Sequence, residues 1–309
     1  MPETVICIQG PTCSGKSELA DRLAVLLDGE IVSADSMQVY RGMDIGTAKV
    51  PASERLVPYH CIDILEPGQA YSVALFQHDA RASIEDIWAR GKKAILCGGT
   101  GLYVRAVLDE MDFAPGEQQG NEIRAEYERL VQEQGAQAAY DLLKQRDPAS
   151  ADLIHPNNTR RVVRALEMVD EGESYAQRKQ RFKSVPSHYP SVKIGLSVER
   201  DILYGRINAR VDRMFAEGLV KEVQNLLEAG FRDGLTAAQA IGYKEVVAAL
   251  DGICSMETAA AQIKQSTRRY AKRQFTWLKS DASIQWLDAS GGITDTIVEQ
   301  CLALVRTSM

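Results

Sequence analysis

Histidine is scarce in this chain and cysteine carries no pattern. The four histidines (His60, His78, His155, His188) have no metal-like spacing, and the six cysteines (Cys7, Cys13, Cys61, Cys97, Cys254, Cys301) include no Cys-x2-Cys pair. A zinc knuckle and a disulfide framework are thereby excluded, and reduced, mostly buried thiols are expected. Long apolar runs are missing too, since charges interrupt each one well short of the roughly 18 residues a membrane helix needs. The opening Met1-Pro2-Glu3-Thr4 has no basic targeting segment, so a cytoplasmic protein with no membrane contact is expected. Basic charge is not in excess: 36 Lys and Arg against 42 Asp and Glu give a net charge of −6. Any nucleic-acid site must therefore come from local patches. Aromatics make up only 6% of the 309 residues, but 45% are hydrophobic and 25% charged, which excludes a disordered or collagen-like chain and leaves room for a large core with a smaller domain. No long unexplained apolar stripe is present, and a monomer is expected.

Short apolar runs alternate with helical stretches over the first hundred residues: Val5 to Ile8, Glu18 to Leu27, Ile31 to Ala34, Val73 to Ala89 and Ala94 to Cys97. That rhythm predicts a parallel sheet covered by helices. It breaks near Ala114-Pro115-Gly116, and Ile123 to Glu171 reads as successive helices without a strand. A strand resumes at Val192 to Val198, stripes at Leu203, Ile207, Val211 and Met214 mark a further helix, and another helix is expected from Glu257 to Lys279. The expected organisation is an α/β core over 1–113, an all-helical insertion over 114–190 and a return to the core over 191–309.

The strongest motif is Gly10-Pro11-Thr12-Cys13-Ser14-Gly15-Lys16-Ser17 between an apolar strand and a helical pattern. It fits G-x-x-x-x-G-K-[ST], whose loop amides and helix N-terminus point at a phosphate chain. Lys16 adds a mobile positive charge, and the Ser17 hydroxyl would ligate Mg²⁺ between phosphate oxygens. A compound with a di- or triphosphate is expected there, with a P-loop NTPase-like fold around it. Asp35, in Ser33-Ala34-Asp35-Ser36-Met37-Gln38, follows the second strand and is either a helix cap or a group that holds metal through water or accepts a proton. The next strand ends in Gly98-Gly99-Thr100-Gly101-Leu102-Tyr103, with no carboxylate where a P-loop ATPase or GTPase would hold its metal. Glycines there would let another molecule approach, and Thr100 offers a hydroxyl.

Gln262 to Ser280 contains Lys264, Arg268, Arg269, Lys272, Arg273 and Lys279 and no acid. It is either a phosphate-backbone footprint or a solvated face, and Tyr270, Phe275 and Trp277 either stack bases or pack inward. Arg160, Arg161, Arg164, Arg178, Lys179, Arg181 and Lys183 form a second basic group diluted by acids. Arg206, Arg210 and Arg213 share a helix face and either reach a phosphate from the side opposite Lys16 or form a solvated face.

Together these strings resemble the tRNA dimethylallyltransferase, or tRNA isopentenyltransferase, family over nearly the whole chain. Gly10 to Ser17, Ser33 to Tyr40 with Asp44-Ile45-Gly46-Thr47-Ala48-Lys49, Gly98 to Tyr103, Arg161 to Glu167, Ala240 to Glu245 and Thr267 to Leu278 carry the resemblance. Cys13 stands where Ala is usual, Val50 separates Lys49 from Pro51, and Leu278 replaces an aromatic. The zinc-finger extension of eukaryotic relatives is missing, which favours a bacterial type. The resemblance implies transfer of a dimethylallyl group from dimethylallyl diphosphate to the exocyclic N6 amine of the adenosine 3′-adjacent to the anticodon, in tRNAs reading codons that begin with U. Gly10, Pro11, Thr12, Cys13, Ser14, Gly15, Lys16, Ser17 and Arg210 would hold the diphosphate, with Mg²⁺ on Ser17. Asp35, Thr100 and Lys16 would serve catalysis. Contacts to tRNA are implied for Asp35, Ser36, Met37, Gln38 and Gly101, and in the insertion for Arg124, Thr159, Arg160, Arg161, Val162 and Val163. Farther on they are implied for Gln239, Ala240, Ile241, Gly242, Tyr243 and Lys244, and for Arg273, Gln274, Phe275, Thr276, Trp277, Leu278, Lys279 and Ser280. The rivals are a P-loop nucleotide or small-molecule kinase using ATP, and a nucleic-acid-binding NTP switch.

Overall fold

Strand β1 (Val5–Gln9) is apolar at four successive positions and buried on both faces, as a central strand of a parallel sheet must be. The computed structural model describes residues 3–113, 121–182 and 184–308. Ala114-Pro115-Gly116 and Lys183 lie outside the described residues. β1 joins β2 (Gly29–Ser33), β3 (Tyr59–His60), β4 (Lys93–Gly98), β5 (Ser191–Ser197) and β6 (Gln285–Asp288) in one all-parallel sheet of order β3-β2-β4-β1-β5-β6. Helices cover both faces, giving the P-loop-like α/β core expected. Side chains alternate across the strands: Val5, Cys7, Val32 and Leu96 enter one core with α2 (Val73–Ala89) and α3 (Gly101–Leu108), while Ile6, Ile8, Ile31 and Ile95 enter the other with α1 (Lys16–Leu27). On α1, Leu19, Ala20, Leu23 and Ala24 repeat at helical spacing and are wholly buried, and each leucine contributes about 1.5–3 kcal/mol by leaving water. The helix stops at Asp28, whose φ of 49° is left-handed.

Residues divide into two compact units, Met1–Asp109 with Ser187–Met309, and Glu110–Pro186. The second has its edges at 110 and 186 rather than 114 and 190. The reason is that Asp109 and Ser187 already form an antiparallel bridge, and Tyr189 is buried in the sheet core. Among its described residues this unit contains α4 (Glu122–Gln134), α5 (Ala136–Arg146), α6 (Pro148–Ala151), α7 (Thr159–Asp170) and α8 (Tyr175–Arg181), with its own core of Tyr127, Leu143, Ile154, Val162, Val163 and Leu166. In the first unit the chain continues through α9 (Arg200–Glu217), α10 (Leu219–Glu228), α11 (Tyr243–Leu250), α12 (Met256–Leu278) and α13 (Asp295–Ser308). Among the described residues no helix is long and apolar enough to cross a membrane.

Candidate active site

The loop between β1 and α1 turns through two left-handed residues, Cys13 at φ 63° and Gly15 at φ 94°. At Gly15 a Cβ would also meet Ile293 at 2.8 Å. The loop forms one end of a cavity of about 550 Å³. The parallel register sets Gln9 beside Gly98, so the loops after β1 and β4 emerge side by side at the carboxyl edge, where ligands of such sheets sit. Lys16 Nζ donates to the Pro11 carbonyl at 2.9 Å. Burial pushes its ammonium below the ordinary lysine value, against the pull of the nearby Cys97 and Asp35. Arg210, from α9, donates to Thr12 Oγ1 at 2.8 Å and approaches Cys13 Sγ at 3.8 Å. Ser17 is exposed on the cavity wall. Ser14 Oγ is buried without a hydrogen-bond partner among the described residues.

Lys16, Arg210, Lys244, Arg269 and Arg273 line the cavity, and among the described residues Asp35 is the single carboxylate that lines it. That imbalance suits an anion with one base beside it. No helix follows Asp35, so it caps none; its Oδ1 instead accepts the Met37 N–H at 2.9 Å in a local turn, which occupies one oxygen. Ser36, Met37 and Gln38 continue the wall; Gln38 accepts from Ser33 Oγ at 2.9 Å and donates to the Thr47 carbonyl at 3.4 Å. Apolar lining comes from Ile207, Val211 and Met214, stacked at helical spacing along α9, the helix that carries Arg210, and from Ile263 on α12.

Gln274 lies between the two loops. It is buried, accepts the Thr12 N–H at 2.8 Å and donates to the Gly99 carbonyl at 3.0 Å. The space beside the glycines at and after the end of β4 is therefore largely taken by this chain's own parts, although Gly98 still lines the cavity. A Cβ at Gly98 would meet the Ala34 carbonyl oxygen at 2.2 Å, one at Gly99 the Gln274 Nε2 at 2.2 Å, and one at Gly101 the Trp277 indole at 2.0 Å. Thr100 Oγ1 is buried and forms no well-shaped hydrogen bond, although the Tyr270 hydroxyl stands beside it. Burial, reinforced by the charge of Asp35, pushes the Tyr270 phenol up to about 12. Thr100 is not among the lining residues, whereas Tyr270 is.

Gln239, Ala240, Ile241, Gly242, Tyr243 and Lys244 all reach the cavity, although Ala240 and Tyr243 are largely buried. On α12 the basic residues divide. Lys264 pairs with Asp212 at 2.5 Å and Arg268 donates to Asn208 at 2.7 Å, whereas Arg269, Lys272, Arg273 and Lys279 are exposed. Leu278 is buried, Phe275 packs edge-on to Trp286, Lys279 sits over the Phe275 ring, and Thr276, Trp277 and Ser280 are exposed. Arg206 is held by the Ala289 and Ser290 carbonyls and Arg213 is exposed outside the cavity, so of that trio only Arg210 meets the loop. In the helical unit, Arg160 and Arg161 are exposed and Thr159 half-buried at the start of α7. Val162 and Val163 instead face that unit's core, which removes their side chains from any partner. Arg124 spends its charge on Glu128 at 2.9 Å and the buried Glu167 at 3.8 Å. Sequence reading missed Glu222, which accepts the N–H groups of Asp44, Ile45 and Gly46 and the Tyr243 hydroxyl. Its partners are far away in the chain, and no local pattern signals it.

A family model described as IPP transferase matches residues 38–281. A tRNA dimethylallyltransferase of Geobacter sulfurreducens is 50% identical over 289 residues, covering 92% of this chain and 91% of the relative. One of Carboxydothermus hydrogenoformans is 45% identical over 304 residues, covering 98% and 97%. Among solved structures, the full-length tRNA isopentenylpyrophosphate transferase of Bacillus halodurans is 44% identical with a TM-score of 0.72, covering 99% of this chain and 96% of that one. A eukaryotic dimethylallyltransferase solved while acting on tRNA is 30% identical with a TM-score of 0.76, covering 93% and 74%.

Proposed function

The chain belongs to the IPP transferase family, and on that premise we propose that its cavity transfers a dimethylallyl group from dimethylallyl diphosphate to tRNA. The acceptor is the N6 amine of the adenosine 3′-adjacent to the anticodon, in tRNAs reading codons that begin with U. The observation that carries this reading is one cavity whose described lining residues include five cations, a single carboxylate and an apolar stripe. The cations and loop amides meet a diphosphate. Ile207, Val211, Met214 and Ile263 receive a short branched hydrocarbon. Asp35 faces the space between.

In the reaction the allylic C–O bond breaks and its electron pair leaves with the diphosphate, while the adenine nitrogen forms the new C–N bond and gives up one proton. Loop amides, Lys16 and Arg210 stabilise the charge that grows on the leaving group. The second oxygen of Asp35 takes the proton. Gln274 holds the Thr12 amide and the Gly99 carbonyl in register, and Thr100 acts from behind the wall beside Tyr270. Magnesium fits the donor set in a limited way: Ser17 offers one hard, exposed hydroxyl, and no group of three or more His, Cys, Asp or Glu converges among the described residues. A cation would thus be held chiefly by diphosphate oxygens and water, with Ser17 as the protein ligand. When bound, it neutralises part of the leaving-group charge.

An adenine stacked in an anticodon loop must leave its stack to reach Asp35. Gln239 to Lys244 and the exposed Arg269 and Arg273 are offered to that base and its phosphates; Arg160 and Arg161 are offered to the RNA backbone by the helical unit. A monomer acting in the cytoplasm suffices for all of this.

The test supplies purified protein, Mg²⁺ and unmodified tRNA reading a U-initial codon with labelled dimethylallyl diphosphate or, in parallel, labelled ATP. Prenyl label on the adenosine beside the anticodon is expected. Phosphate transfer or release from ATP with no prenyl transfer would overturn the reading in favour of a kinase or NTPase.

A further inference from the structure

Residues 44–48 cross the cavity wall without belonging to a helix or strand, and Gly46, Thr47 and Ala48 line the cavity. Three successive amides in such a segment need an acceptor from elsewhere. Glu222, on α10, supplies it: Oε2 accepts the Asp44 and Ile45 N–H groups at 3.1 and 2.8 Å, and Oε1 accepts the Gly46 N–H at 3.1 Å and the Tyr243 hydroxyl at 2.7 Å. All four partners are donating, so the site requires a group that only accepts, which an ionised carboxylate is and an amide is not. Burial and the neighbouring carboxylate hold the Tyr243 phenol far above its ordinary value, which keeps its proton available for this bond.

The same carboxylate fixes two parts of the wall at once. The Tyr243 ring lies against Gly46, where a Cβ would come within 2.3 Å of it. From Thr47 the wall continues through its carbonyl to Gln38 and from Gln38 to Ser33, at the end of the strand that leads to Asp35. At the far end Lys49 ties the segment down, bonding to Asp44 at 2.8 Å and Asp63 at 2.5 Å. Glu222 itself stays outside the apolar core, which on α10 is formed by Leu219, Val223 and Leu226.

We propose that Glu222 is a positioning residue for the base-receiving wall of the cavity, setting residues 44–48 and Tyr243 where the adenine must fit. The inference rests on the proposed transfer to tRNA, but it concerns the acceptor side alone. The phosphate loop is held by other partners, Gln274 and Arg210. Loss of Glu222 therefore separates the two substrates.

The experiment compares Glu222→Gln and Glu222→Asp with the parent in steady-state transfer, thermal melting and amide hydrogen exchange. Glu222→Gln places an NH₂ among donors; it is expected to raise KM for tRNA or lower kcat by about tenfold or more, with KM for dimethylallyl diphosphate within about twofold. Exchange at the amides of 44–46 should quicken, and Glu222→Asp, which keeps the charge, should recover part of the loss. Unchanged exchange and kinetics in Glu222→Gln would overturn the proposal. So would equal losses toward both substrates in step with a lower melting temperature. A parent protein that transfers no prenyl group would instead sink the proposed function, and the exchange at 44–46 would still decide whether Glu222 positions that wall.

Discussion

Replacing Gln274 by Glu changes one NH₂ into an oxygen at the junction of the two loops. The Thr12 N–H keeps an acceptor, but the new oxygen faces the Gly99 carbonyl that Gln274 now donates to at 3.0 Å. Two acceptors opposed in a buried place, with one hydrogen bond lost, cost about 1–3 kcal/mol. If the register of the loops enters the transition state in full, that is roughly a 5- to 150-fold loss of turnover. The penalty has a pH signature. Desolvation and the facing carbonyl raise the carboxyl's folded pKa above its unfolded value of about 4.3. Its protonated form donates to Gly99 as the amide does. Stability is therefore fullest below the unfolded pKa and lost as pH rises through the folded one. Transfer by Gln274→Glu, measured as a ratio to the parent at each pH from about 8 to about 6, should accordingly improve on acidification. A variant within about twofold of the parent throughout, or one whose deficit deepens as pH falls, would refute the bridging role.

Asp35→Ala should lower turnover by about 10² to 10⁴-fold while tRNA binding, read by filter retention, survives; near-parental turnover would remove Asp35 as the base. Gly99→Ala should be far more damaging than Gly101→Ala, because its Cβ is driven into the buried Gln274, whereas Trp277 is 45% exposed and free to swing aside. Transfer assays on the pair check that order, and overpacking at Gly99 is worth about 1–3 kcal/mol. Away from the cavity, bidentate hydrogen bonds from Arg90, aided by His60, lower the buried Glu30 from 4.5 to about 2. That contribution is present above pH 4.5 and lost as pH falls toward 2. The melting-temperature gap between the parent and Glu30→Gln should therefore narrow from about pH 5 to about pH 3, and a constant gap would contradict it.

Much of this architecture is written in local pattern. The phosphate loop is eight consecutive residues, β1 and β4 are apolar runs, and α1, α9 and α12 carry their buried residues at helical spacing. Other parts leave no local trace. β3 is only two residues long, α3 begins among glycines that read as loop, and α11 hides inside a motif read for its chemistry. Gln274 and Glu222 act through bonds to residues that are distant in sequence, and a single polar residue on an amphipathic helix does not announce which remote amide it meets. Val162 and Val163 show the opposite failure. Their spacing with Leu166 on α7 already marks a core face, and a motif match taken residue by residue ran over it.

The antiparallel bridge between Asp109 and Ser187 makes the helical unit removable on paper. Paired strands at such a bridge hold their Cα atoms about 4.5–5.5 Å apart, a gap that a two-residue turn spans. Every described residue lining the cavity lies outside 110–186. A gene with that segment cut out and a short turn spliced across the seam would thus encode the whole sheet and cavity without rerouting a strand, and another insert could be carried at the same seam.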